Sequence, residues 1–174
     1  MPHPFFKNAV AAAKIGLGAL STEFEKPEAN ANICSEGDKG QPLIYRLICG
    51  NRENGDSFND DELLILLPVL IKHKVNLSYD EDYNSSILER AIERGKMKTA
   101  ILLAENDAGI NREKAGDLLI WIIKKAALNR SKVDQFTRLI KTLMEKSARR
   151  VIEPSFSAFL KYFSSAVISP VFPW

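Results

Sequence analysis

Histidine is nearly missing from this chain, with only His3 and His73 in 174 residues. Cysteine is as scarce: Cys34 and Cys49 lie 15 positions apart, without C-x-x-C spacing. That argues against a zinc cluster and a disulfide framework, and makes a reducing compartment the default. Nothing cationic is clearly placed beside either thiol, so both read as structural rather than reactive. H-E-x-x-H and G-x-S-x-G are absent, and Gly16-Leu17-Gly18 lacks the rest of a phosphate loop and reads as a turn. Asp80-Glu81-Asp82 fails as a calcium loop, because neither the glycine nor the distal glutamate is in place; it reads as a solvated tip. Neither sign of charge dominates, and a net charge of +2 is too small to argue for nucleic acid. The longest apolar run, Leu63 to Ile71, has nine residues and includes Pro68. A membrane span needs about 20. The opening "MPHPFFKNAVAAAKIGLGAL" has no basic leader and is interrupted by Lys14, so it reads as a small-residue helix rather than a secretory signal. The ending "VFPW" carries no lipidation motif.

What is present is helical. Alternating β-branched and aromatic runs are missing, whereas apolar residues recur at helical spacing throughout. Phe5, Phe6, Ala9, Val10 and Ala13 form a first stripe, which Gly16 and Gly18 should end, before the polar, turn-rich stretch from Ser21 to Gly40. Pro42 should open a helix carrying Leu43, Leu47 and Ile48. Asn59 or Asp60 can cap a leucine-rich helix, with a kink or restart expected at Pro68. His73, between Lys72 and Lys74, should be the solvated end of that helix. Ser86 and Glu89 have capping-box spacing ahead of Ile87, Leu88, Ala91 and Ile92. Gly95 suits a helix end, and Met97, Ala100, Ile101, Leu103 and Ala104 stripe a further short helix. Leu118 to Ile123 is strongly apolar. Ser131 should cap the helix bearing Phe136, Leu139, Ile140, Leu143 and Met144, and Pro154 should open a last one. Lys141, Lys146, Arg149 and Arg150 tint this end basic, as a solvated helix face would. A single all-α domain over residues 1–174 is expected.

Helices this short are marginal in water and need neighbours on both sides. The sequence shows where neighbours come from. "VNLS" at Val75–Ser78 and "AGIN" at Ala108–Asn111 are 33 residues apart, after the apolar pairs Leu70/Ile71 and Leu102/Leu103. A 33-residue helix–turn–helix period, with Ser86-Ile87-Leu88-Glu89-Arg90-Ala91, Gly95, Leu102-Leu103 and "DAGIN", resembles an ankyrin repeat. Gln41-Pro42-Leu43 resembles a second repeat start and "ANIC" at Ala31–Cys34 the end of one before it. A third copy begins at Leu118-Leu119. The copy from Gln41 to Ser78 carries an insertion at "GNRENGDSFND". Ile44, Glu89 and Ile120 stand where the family has histidine, and Arg46 stands where it has a small alanine.

The resemblance implies an ankyrin-like stack with divergent terminal capping helices: caps over residues 1–30, about three repeats over 31–147, and a capping helix and tail over 148–174. It further implies a non-catalytic module that binds another protein, without cofactor or metal, as a monomer in the cytoplasm. The degenerate copies are similar to those of stand-alone ankyrin proteins that intracellular bacteria deliver to the host cytosol. The family's variable positions fall on Asp82, Tyr83 and Ser85 at one hairpin tip, Glu93 and Arg94 on an inner helix, and Asp38, Lys39, Glu113 and Lys114 on neighbouring tips. Tyr83 is the expected anchor, since Tyr, Trp and Arg dominate such surfaces. Two competing readings remain. One is a non-repeat helical bundle with a small-molecule or enzymatic pocket. The other is part of a larger assembly, docked through the aromatic C-terminus.

Overall fold

The computed structural model describes residues 4–34, 42–50, 58–77, 86–108 and 115–148. Among these the regular structure is helical, apart from one isolated antiparallel bridge between Cys34 and Pro42. The expected all-α class holds. The helix anticipated from Pro154 lies outside the described residues, as do Ser78 and Asn111.

The chain begins with α1 (Pro4–Ile15) and α2 (Leu17–Phe24). α1 buries Phe5, Phe6, Ala9, Ala12 and Ala13. That is the predicted stripe, with Ala12 buried and Val10 half-buried. Gly16 separates the two helices at φ 133°, a conformation that L side chains rarely adopt. Gly18, expected to help end the helix, instead lies inside α2, which continues into the polar stretch as far as Phe24. Packing decides this: Leu20 and Phe24 share one helix face, both are buried, and the Phe24 ring meets Phe5 edge-on at 5.4 Å.

α3 (Leu43–Cys49) follows, with Pro42 in extended conformation at the capping position rather than in the first turn. α4 (Asp60–Lys72) starts at a capping box: Asn59 Oδ1 accepts from Glu62 N at 2.9 Å, and Glu62 Oε2 accepts from Asn59 N at 2.7 Å. No restart occurs at Pro68, because α4 is continuous through it. Pro68 is exposed, so the carbonyl it leaves without a donor lies on the side that water reaches. α5 (Ile87–Glu93) has the predicted box, with Ser86 Oγ accepting from Glu89 N at 3.1 Å and Glu89 Oε2 accepting from Ser86 N at 2.6 Å. Gly95, at φ 70°, ends it. α6 (Met97–Glu105), α7 (Ala115–Leu128), a 3-10 turn (Arg130–Lys132) and α8 (Val133–Ala148) complete the order. Ser131 is not the cap of α8. It lies within the 3-10 turn, which closes upstream on Asn129, so helical geometry begins before the serine.

Successive helices pair as hairpins, α1 with α2, α3 with α4, α5 with α6 and α7 with α8. The hairpins then line up. α1 packs on α3 and α3 on α5, while α2 packs on α4, α4 on α6 and α6 on α8. One apolar core runs between the odd and even layers, from Phe5 to Leu143.

The ends of α4 and α6 match at the 33-residue spacing. Val75 N donates to Leu70 O, and Ala108 N donates to Leu103 O, each at 3.0 Å. Lys74 and Asp107, the intervening residues, have φ of 58° and 61°. Leu67 and Ala100 are buried at equivalent places, as are Leu66 and Thr99. Thr99 thus puts a hydroxyl where the earlier copy has leucine, and that hydroxyl is buried without a partner among the described residues. The equivalent of Leu102-Leu103 is therefore Val69-Leu70, one residue earlier than the apolar pairs suggest. Further up the chain, Asn32 Nδ2 donates to Lys74 O at 3.2 Å, and Asn76 N donates to Asn32 Oδ1. The second residues of "ANIC" and "VNLS" thus meet.

Candidate functional site

The odd layer presents a polar face on α3 and α5. Both helices are seven residues long and share four buried positions, Leu43, Ile44, Leu47 and Ile48 on α3 and Ile87, Leu88, Ala91 and Ile92 on α5, while α3 also buries Tyr45. Aligned by their caps, Pro42 and Ser86, Leu47 matches Ala91 and Arg46 matches Arg90. Arg46 therefore does not occupy the small buried position that the sequence comparison gives it. It is half-buried at the edge of the core, like Arg90. The register shifts by one because Pro42 caps α3 instead of entering it.

Arg90 is held firmly. Its Nη1 donates to Glu93 Oε2 at 3.0 Å, and its guanidinium also hydrogen-bonds Tyr45 of α3. Partial burial opposes the Arg90 charge, but Glu93 and Tyr45 outweigh it, leaving the pKa above its ordinary value. Arg94, one turn on, is exposed at the end of α5. Arg94, Arg90 and Lys96 act electrostatically on the Cys49 thiol to lower its pKa, against Glu93, so cations do influence it, contrary to the sequence expectation. Burial, the largest influence, nevertheless prevails and pushes the Cys49 pKa up.

Of the expected binding residues, Glu93 and Arg94 lie on this face, both exposed. Asp82, Tyr83, Ser85, Asp38, Lys39, Glu113 and Lys114 lie outside the described residues. Arg46, Tyr45 and Arg90 belong to the face and were missed. Arg46 and Arg90 share an offset of four from the caps Pro42 and Ser86, whereas Tyr45, one place earlier, aligns with Glu89. His73 is exposed, but it is more than a solvated end: its ring stacks on Phe24 at 4.8 Å. Among the described residues no three His, Cys, Asp or Glu side chains gather as metal ligands, and no helix is long and apolar enough to cross a membrane.

Two side chains hold the hairpins in register behind this face. Lys96, only 7% exposed, donates from Nζ to Ile48 O at 2.7 Å and Phe58 O at 2.5 Å. Asp60, the first residue of α4, accepts from Lys98 N at 2.9 Å and Thr99 N at 2.8 Å. It thus caps α6 from the neighbouring hairpin, where Lys96 at the capping position has no acceptor to offer. Asp60→Ala is expected to lower stability by about 1 kcal/mol, the usual worth of a cap. A urea titration checks this, and unchanged stability would mean that α6 starts without the carboxylate.

Comparison of the chain with protein-family models, with curated proteins and with solved structures returns no match.

Proposed function

We propose that this chain is a non-catalytic protein-interaction module, an ankyrin-like stack that grips a partner protein through the α3–α5 face and the hairpin tips. The observation that supports the reading most is the paired order of packing, α1 on α3 on α5 and α2 on α4 on α6 on α8. The 33-residue match between the turns after α4 and α6 adds to it. Such packing leaves one edge of each inner helix free along the stack, a surface suited to an extended partner. The non-catalytic part of the reading draws on the burial that raises the Cys49 pKa and on the His73 ring, which is packed against Phe24.

The test is capture on the immobilised chain, followed by identification of the retained proteins. Arg94→Ala and Tyr83→Ala are each expected to lose partners that the wild type keeps. Ile65→Ala, on α4 of the other layer, is expected to keep them. If both variants retain every wild-type partner, the proposed surface is wrong.

A further inference from the structure

The charged residues of α3 and α5 are Arg46, Glu89, Arg90 and Glu93, with Arg94 at the end of α5. α1, which packs on α3, adds Lys7 and Lys14 and no acid. On α5, Glu89 is committed to the capping box and Glu93 to Arg90. Arg46 and Arg94 form no hydrogen bond or ion pair among the described residues. We propose that this face binds an acidic segment of the partner protein, with Arg46 and Arg94 taking its carboxylates beside a pre-positioned Arg90. The inference rests on the docking face proposed above and names the chemistry of what docks there.

A guanidinium offers a planar fork that pairs with a carboxylate through two parallel hydrogen bonds. Arg90, fixed by Glu93 and Tyr45, loses little freedom when a ligand arrives. Spacing favours carboxylates over a nucleic-acid backbone. Packed helices are separated by roughly 8–10 Å, so cations on α3 and α5 are well spread. DNA presents a charge about every 1.7 Å along its axis. An extended peptide advances about 3.3 Å per residue, so an acid at about every third position would meet successive helices. A lipid surface is disfavoured, because among the described residues the exposed large apolar side chains, Ile15, Leu17, Ile65, Ile120 and Leu128, lie on other helices.

The experiment uses the full chain and a fluorescein-labelled glycine–serine peptide with aspartate at every third position, read by anisotropy at low salt. Binding is expected, weakening as salt rises. The double variant Arg46→Glu with Arg94→Glu is expected to lose about tenfold or more in affinity, a change of about 1.4 kcal/mol. It should instead bind the same peptide with lysine in place of aspartate. Circular dichroism confirms that the variant is folded. Single-stranded DNA and anionic vesicles serve as competing probes. Absence of peptide binding, indifference to the charge reversal, or tighter binding of DNA or vesicles through the same arginines would overturn the proposal. If the peptide fails while partner capture still depends on Arg94, the docking face stands and the acidic class falls. If capture is unaffected as well, the face falls with it.

Discussion

Replacing Leu88 with alanine is expected to lower stability by about 2–5 kcal/mol, the range for deleting a fully buried leucine side chain. Leu88 has no solvent exposure, and α5 packs against both α3 and α6. A cavity there loosens two interfaces at once. Stabilities of about 5–15 kcal/mol are typical, so the variant should lose a large share of its own. Leu102→Ala is the control. Leu102 is half-buried, one position from the fully buried Leu103, and its loss should cost less. Urea titration of both variants beside the wild type checks the order. Equal losses, or none for Leu88, would put the wrong face of α5 toward its neighbours.

Leu88 was legible because its signals are local. The Ser86–Glu89 box starts the helix, Gly95 ends it, and apolar spacing between them fixes the inward face. The same holds for Asn59 and the leucines of α4. Errors entered where packing or a neighbouring residue overrode a local cue. Gly18 was overruled by Leu20 and Phe24, Pro42 moved one place out of α3 and shifted Arg46, and Ser131 was pre-empted by the turn on Asn129. The 33-residue period was readable from "VNLS" and "AGIN", but the leucine pairs misplaced one of the copies by a residue. On the α3–α5 face, the positions of Glu93 and Arg94 are readable from the sequence. The position of Arg90 is not, because what singles it out is Tyr45, 45 positions earlier in sequence.

The most distant dependence is on Lys96. At the 33-residue spacing its counterpart is Leu63, also buried, so an amine occupies what is elsewhere an apolar site. Its stem can pack as leucine does, while Nζ holds the Ile48 carbonyl at the end of α3 and the Phe58 carbonyl just before α4. Lys96→Ala should therefore lower stability by about 2–4 kcal/mol, since it removes packing and leaves acceptors unpaired. Lys96→Met keeps the packing and should lose less. Lys132 reaches Gly95 O in the same manner at 3.1 Å, but it is exposed, so Lys132→Ala should have little effect. The pH response separates a desolvated amine from a merely well-packed one. Burial lowers the Lys96 pKa in the folded chain, so the folded state binds fewer protons than the unfolded state between that value and the ordinary lysine value. Stability must rise with pH across that window, and the penalty for charge is fully present below it. Lys98, raised through its hydrogen bond to Asp61, acts in the opposite sense in both wild type and Lys96→Met, and cancels in their difference. The wild type's advantage over Lys96→Met should therefore widen as pH climbs toward the ordinary lysine value near 10.4. A constant difference would mean that the amine keeps its water, and that the hydrogen bonds to Ile48 and Phe58 are not what holds α3 and α4 to α6.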